Sequence, residues 1–195
     1  MPDLDLDAFF AAELDQHAQV LAATRAGLVA PFRRWVELSV AAVQGGGKIL
    51  FFGNGGSAAD AQHLATELAV RYVSDRAPIP AIALTTDSSA LTAIGNDYGF
   101  ERLFARQIEA LGRPGDVAVG ISTSGKSANV TQGLQAARHG GLVPVALTGR
   151  DGGDLVGLAD PLLIVRSEVT ARIQEMHITL GQMYCGALER ALGLV

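Results

Sequence analysis

The sequence lacks several features that would place it in a specialised class of protein. Cys185 is the single cysteine in 195 residues, so an internal disulfide is excluded and a reducing, cytoplasmic location is expected. No apolar run approaches the roughly 18 residues of a membrane span, and no basic segment followed by an apolar one predicts a leader. The net charge is −5 without a basic stripe, which argues against direct nucleic-acid binding.

The sequence does contain enough apolar material for a core. Hydrophobic residues make up 49% of the chain, and a domain of this length buries about 70% of its unfolded surface. We predict a single domain over residues 1–195, with N-terminal helices in 1–45 and an α/β core in 48–192. The two amphipathic N-terminal helices, 4–27 and 31–44, are predicted to pack across a subunit interface and form a homo-oligomer.

Strands and helices alternate through the core. Short apolar runs predict strands at 49–52, 79–84, 117–121, 143–147 and 162–165. Because each run is almost continuously apolar, we predict a five-stranded parallel sheet covered by helices on both faces. Ligands of such sheets bind outside the carboxyl ends of the strands. Residues 96–99, Asn-Asp-Tyr-Gly, are predicted to form a polar loop.

The most informative stretch is the first strand and the helix after it. The apolar run leads into Gly53–Gly56, and a helical pattern follows. Such a junction points backbone N–H groups and the positive end of a helix at its ligand, which predicts an anion such as a phosphate. His63 and Glu67 stand four residues apart on one face of this helix, which suggests chemistry on a phosphorylated small molecule. The alternative is ordinary surface polarity, since Glu67 also stands four residues before Arg71.

Two glycine patterns match nucleotide-binding motifs, and each lacks an essential partner. Residues 53–58 match G-x-G-x-x-G/A, without the acidic residue expected about 20 positions later. Residues 120–127 match G-x-x-x-x-G-K-[ST], but no candidate strand ends in an acidic residue for magnesium. We therefore predict no nucleotide cofactor, and a loop whose hydroxyls wrap one phosphate: Ser122, Thr123 and Ser124. Ser127 is expected to cap the helix beneath this loop.

Further motifs follow in order along the chain: NDYGF at 96–100, GDVAVGISTSGKSANV at 115–130, ALTGRDGG at 146–153 and ARIQEMH at 171–177. Together with GNGGSAADAQHLATEL at 53–68, they resemble the sugar isomerase (SIS) domain family, and within it the sedoheptulose 7-phosphate isomerases. The resemblance implies conversion of sedoheptulose 7-phosphate to D-glycero-D-manno-heptose 7-phosphate, a heptose precursor of lipopolysaccharide and other cell-surface polysaccharides. It also implies a homotetramer with active sites between subunits.

The resemblance assigns roles to individual positions. It gives Glu67 the role of catalytic carboxylate and places the sugar phosphate on the hydroxyl loop, at Ser122, Thr123, Ser124 and Ser127. It places the rest of the substrate on Asn54, Gly55, Gly56, Glu67, Asn96, Asp97 and Gln174. The zinc positions of the family correspond to His63, Glu67, Gln174 and Gln182, where Gln182 replaces a histidine. One imidazole, one carboxylate and two amides make a poor zinc site, so zinc is expected to bind weakly or not at all.

Gln182 also leaves the acid partner of Glu67 open, because an amide does not transfer protons. The candidates are His177, a water or a group from a neighbouring subunit. An equally good interpretation of His177 is a structural histidine that is hydrogen-bonded within the core or an interface. A second function comes from a paralogous group, the replication-initiator-associating protein. That group shares R-I-Q-E-M-H, lacks the later histidine and binds a protein without catalysis. It also lacks the glutamate at position 67, so the retained Glu67 favours an enzyme.

Overall fold

A computed structural model describes residues 4–195. The helices are α1 (Leu6–Gly27), α2 (Val29–Gln44), α3 (Gly56–Ala69), α4 (Ser88–Tyr98), α5 (Leu103–Leu111), α6 (Ala128–His139) and α7 (Thr170–Ala191). The strands are β1 (Ile49–Gly53), β2 (Ala81–Ala83), β3 (Val117–Ser122), β4 (Val143–Gly149) and β5 (Leu162–Val165). Short 3-10 helices cover Phe100–Arg102 and Gly153–Leu155. No helix in the described range is long and apolar enough to cross a membrane.

The five strands form one parallel sheet in the order β2-β1-β3-β4-β5, as predicted. The chain moves outward from β1 to β2 and then returns to place β3 on the other side of β1. The strand order therefore reverses between β1 and β3, and open α/β sheets bind their ligands at such a point. In the register of this pair, Gly53 lies opposite Ile121.

Alternate residues of the central strands β1, β3 and β4 enter two separate cores. Ile49 and Phe51 of β1 pack with α2, α3 and α7, whereas Leu50 and Phe52 pack with α5 and α6 on the other face. All five β1 residues are buried. Burial on both faces explains why the strand sequence is continuously apolar rather than alternating.

The N-terminal helices are fixed to the core mainly through α7. Trp35 of α2 stacks on Tyr184 with ring centroids 3.7 Å apart, and the Tyr184 hydroxyl donates to Ser39 Oγ at 2.8 Å. Arg172, whose side chain is almost fully buried, donates to the backbone carbonyl of Glu13 in α1 at 2.6 Å. Both N-terminal helices therefore pack directly against the last helix of the α/β core.

The predicted loop at residues 96–99 is wrong, because residues 96–98 form the last turn of α4. The Asp87 side chain accepts the backbone N–H of Ala90 at 3.0 Å and starts this helix. The helix ends at Gly99, whose φ of 86° lies in the left-handed region. The polar residues before Gly99 are the exposed face of a helix and not a connection.

Candidate active site

Two loops meet at the carboxyl edge of the sheet, where β1 and β3 end side by side. Asn54 follows β1, and Asn129 lies in the first turn of α6, after β3. Their side-chain amides exchange two hydrogen bonds of 2.8 Å, one in each direction. This pair holds the two loops together. Asn129 was missed by the sequence analysis, since nothing local marks a partner 75 residues away.

The absence of side chains in the glycine turn allows α7 to pack closely against the start of α3. Gly55 is the N-cap residue of α3 and has a φ of 56°, a conformation that favours glycine. A Cβ at Gly56 would lie only 2.3 Å from Nε2 of Gln174. Gln174 therefore lies directly against the turn, and the structure brings this predicted site residue together with Gly55 and Gly56.

The hydroxyl loop between β3 and α6 is compact. Ser122 Oγ and Ser127 Oγ lie 3.0 Å apart, and Ser124 Oγ accepts the backbone N–H of Lys126 at 3.2 Å. Ser127 occupies the N-cap position, but its side chain makes no capping hydrogen bond, so that part of the prediction is wrong. The Ser127 hydroxyl contacts that of Ser122 instead, and within residues 4–195 no side-chain hydrogen bond reaches the first two N–H groups of α6. These groups therefore remain available to an anion.

The predicted pair of titratable residues forms a cluster between α3 and α7. His63 Nε2 lies 3.1 Å from Glu67 Oε1, with side chains 46% and 22% exposed, so both groups are accessible from solvent. The carboxamide of Gln182 on α7 contacts the same imidazole nitrogen. Three of the four predicted metal positions thus meet here, while the fourth, Gln174, lies against the glycine turn.

Asp60 is a further titratable residue of this face. It precedes His63 by three residues and Glu67 by seven, a spacing that places all three on one side of α3. Burial raises the pKa of the Asp60 carboxyl, an effect that the nearby His63 opposes. Its Oδ2 is buried without a hydrogen-bond partner within residues 4–195. The sequence analysis does not single out Asp60, although its helical spacing from His63 and Glu67 is a signal that could have identified it.

His177 lies in the core and not at this cluster. It is 1% exposed, and its Nε2–H donates to the carbonyl of Thr148 at 3.1 Å. Burial lowers its pKa to about 4, with the Thr148 hydrogen bond acting in the opposite direction. A neutral histidine that is bonded to a backbone carbonyl and shielded from solvent is a structural residue.

Asn96 and Asp97 are not joined to the rest of the site by any hydrogen bond in the described part of the chain. Both are exposed on α4, and the Asn96 amide donates to Asp97 Oδ1 at 2.7 Å. One copy of the chain therefore assembles the glycine turn, the hydroxyl loop and the α3–α7 cluster, and leaves these two residues outside.

The donor set does not fit a catalytic zinc ion. Zinc sites of that kind use three nitrogen, sulfur or carboxylate ligands from the protein, whereas the cluster here offers one imidazole, one carboxylate and the carboxamide of Gln182. Among residues 4–195, no group of three or more His, Cys, Asp and Glu side chains is placed to hold a metal.

The cavity beside the glycine turn is small, at about 150 Å³, and its lining includes Asn54, Gly55 and Thr85. A larger apolar cavity of about 410 Å³ lies elsewhere, between α1, α2 and α7. Ligand pockets for small molecules are commonly about 300–1,000 Å³. The polar groups that suit a sugar phosphate thus lie at an open edge of the single chain, not in its more spacious apolar cavity.

Comparisons with known proteins agree with this geometry. The family model described as "SIS domain" matches residues 14–149. A phosphoheptose isomerase of Paramagnetospirillum magneticum is 60% identical over 184 residues, which cover 92% of this chain and 96% of that protein. The structure of the phosphoheptose isomerase from Neisseria gonorrhoeae is similar with a TM-score of 0.89 and 46% identity, covering 95% and 99% of the two chains. The structure of a phosphoheptose isomerase from Francisella tularensis is similar with a TM-score of 0.91 and 34% identity, covering 96% of this chain and 99% of that chain.

Proposed function

Because the chain belongs to the SIS-domain family and, within it, to the phosphoheptose isomerases, we propose that it converts sedoheptulose 7-phosphate to D-glycero-D-manno-heptose 7-phosphate. The observation that carries this assignment is the accessible Glu67 carboxylate, 3.1 Å from His63, on the helix that begins at the glycine turn. An aldose–ketose isomerase needs a base at one end of its substrate and an anion site at the other. The hydroxyl loop at the carboxyl edge of the sheet and the Glu67 carboxylate, eleven residues after the start of α3, support this proposal.

The hydroxyl loop is the proposed phosphate site. The Ser122 and Ser127 hydroxyls face each other at 3.0 Å, and the start of α6 offers N–H groups without a side-chain cap. A helix N-terminus with such groups favours a phosphate dianion. Thr123 and Ser124 complete the set of hydroxyls, while Asn54, Gly55, Gly56, Gln174, Asn96 and Asp97 are proposed to contact the sugar chain.

Glu67 is the proposed base. It removes a proton from C1 of the ketose, the carbonyl oxygen at C2 gains a proton to give an enediol, and Glu67 returns its proton to C2. The hydroxyl at C1 loses its proton as the aldehyde forms. Proton transfer by a positioned carboxylate contributes typically about 10²–10⁴-fold to such rates.

The oxygen atoms of the enediol need a partner that exchanges protons. His177 does not serve, because it is buried and bonded to the carbonyl of Thr148. We propose His63 for this role, since its imidazole is exposed and contacts both Glu67 and Gln182. Gln182 supplies a hydrogen bond and no proton.

The alternative function, binding of a replication initiator without catalysis, has no support from the relatives and structures described above, which are all phosphoheptose isomerases. The retained Glu67 also argues against it. A cytoplasmic location remains a prediction that rests on the single cysteine, Cys185.

A homotetramer is proposed from the surface of the N-terminal helices. Large apolar side chains of α1 are more than half exposed, and an apolar cavity opens between α1, α2 and α7. Exposed apolar surface of this extent is typical of an interface. The exposed residues are Leu6, Phe9, Phe10 and Leu14. Light scattering in solution is expected to give four times the mass of one chain, and a monomeric mass would reject the assembly.

The enzymatic assignment is tested by NMR with sedoheptulose 7-phosphate in D₂O. The wild-type protein is expected to form the aldose with deuterium at C2, because a proton held by a solvent-accessible carboxylate exchanges with the solvent. Ser122→Ala is expected to raise KM about tenfold without changing the product, since it removes one phosphate donor. No conversion by the wild-type protein would overturn the proposal.

A further inference from the structure

Arg76 lies in the connection between α3 and β2 and is outside the cluster described above. Its side chain is 1% exposed, and each of its three nitrogens is bonded. Nη2 donates to the backbone carbonyl of Glu67 at 2.8 Å, Nη1 to that of Leu68 at 2.7 Å, and Nε to the carboxylate of Glu189 on α7 at 3.2 Å. A buried guanidinium therefore contacts the backbone of the proposed catalytic residue itself.

The last turn of α3 depends on Arg76 for its hydrogen bonding. The carbonyl of Thr66 is bonded by the N–H of Val70, and that of Leu68 by the N–H of Ile79. Within residues 4–195, the carbonyl of Glu67 has no partner other than Arg76. The last turn contains no basic residue of its own, so Arg76 also supplies the cation that the negative end of a helix favours.

The same guanidinium joins the two helices that carry the cluster. Glu189 lies on α7, seven residues after Gln182, and its carboxylate is also buried. Next to Gln182 the helices touch closely, because a Cβ at Gly181 would lie 2.6 Å from the Leu64 side chain. The Arg76–Glu189 pair thus holds one end of a helix contact that also includes the contact between His63 and Gln182.

We propose that Arg76 is a positioning residue for the isomerisation: it fixes the backbone of Glu67 and the separation of α3 and α7, so that the carboxylate meets the reacting carbons. This inference rests on the proposed role of Glu67. Arg76 has no path to the substrate, since its side chain is buried. Its removal is expected to change the placement of the base and not the binding of the phosphate.

The test compares kcat, KM and melting temperature for Arg76→Gln, Arg76→Lys and Glu189→Gln. Because misplacement of a reacting group by about 1 Å costs about 100-fold in rate, Arg76→Gln is expected to lower kcat about 100-fold with KM within threefold of wild type. Arg76→Lys keeps the cation but loses the forked geometry, so an intermediate loss of about tenfold is expected. If Arg76→Gln does not fold, the other two variants carry the test.

Lys48→Gln is the matched control. Lys48 forms an ion pair with the buried Asp116 before β1 and β3, and neither residue belongs to the hydroxyl loop or to the cluster of His63, Glu67 and Gln182. This variant is expected to lower the melting temperature while leaving kcat within twofold. Wild-type kcat in both Arg76 variants, or a fall in kcat for Lys48→Gln that parallels its loss of stability, would overturn the inference. Glu67→Gln is measured in the same experiment. If this variant keeps wild-type kcat, Glu67 is not the base and the proposed function is wrong, whatever the result for the Arg76 variants.

Discussion

Replacing His177 by glutamine separates a structural histidine from a catalytic one. The His177 imidazole is 1% exposed and donates to the carbonyl of Thr148 at 3.1 Å. A glutamine amide is able to donate to the same carbonyl and does not titrate. We therefore expect His177→Gln to change the pH dependence of stability while leaving kcat at pH 7.5 within a few-fold of wild type.

The magnitude follows from the two pKa values of the imidazole. Burial lowers the pKa of His177 from 6.5 to about 4 in the folded protein. As the pH falls, the imidazole therefore binds a proton in the unfolded chain before it does so in the folded protein. The free energy of unfolding is unaffected by this histidine above pH 6.5 and decreases between pH 6.5 and pH 4. At about 1.4 kcal/mol per pH unit, this histidine is expected to remove about 2 kcal/mol of unfolding free energy by pH 5 and about 3 kcal/mol by pH 4.

The assay is urea unfolding followed by the fluorescence of Trp35, the single tryptophan, which is buried against Tyr184. Both proteins share every other titrating group, so the difference between their unfolding free energies isolates His177. That difference is expected to change by about 3 kcal/mol between pH 7.5 and pH 4. Parallel curves would refute the reasoning, and a large loss of kcat at pH 7.5 without a loss of stability would make His177 catalytic.

Three further variants test the site. Gly56→Ala places a methyl 2.3 Å from Nε2 of Gln174, so KM is expected to rise about tenfold with little change in melting temperature; an unchanged KM would show that Gln174 does not bind the sugar. Asp60→Asn removes a carboxyl whose pKa is raised by burial, so its melting temperature should exceed that of wild type at pH 7.5, and the gain should fade as the pH falls to 3.8. An equal gain at both pH values would contradict this. Lys126→Asn removes an exposed cation beside the phosphate hydroxyls, so KM should rise about threefold at low salt and less in ~0.5 M NaCl; ATP hydrolysis that this variant loses would instead support a nucleotide site.

Features set by local chemistry were predictable from the sequence. The fifth strand was predicted at 162–165, and β5 spans Leu162–Val165. The turn after β1 was identified because consecutive glycines follow a continuous apolar run. At residues 96–98 the polar composition does not distinguish a loop from a helix, because the exposed face of a helix has the same composition.

Features set by tertiary contacts were not predictable in the same way. Arg76 meets Glu189 across 113 residues and Asn54 meets Asn129 across 75, so no spacing in the sequence reveals either pair. His177 illustrates the same limit, since the carbonyl that it contacts in the core belongs to Thr148, 29 residues earlier in the chain. Only the folded chain shows that it is separate from Glu67.

The most direct test of the account is the rate of sedoheptulose 7-phosphate isomerisation by Glu67→Gln. This change removes the base but preserves the size of the side chain, and it leaves the neighbouring His63 in place. We therefore expect kcat to fall about 10³-fold with binding of the sugar phosphate retained. Deuterium incorporation from D₂O at C2 should fall in parallel. A Glu67→Gln enzyme whose kcat stays within tenfold of wild type would contradict the account.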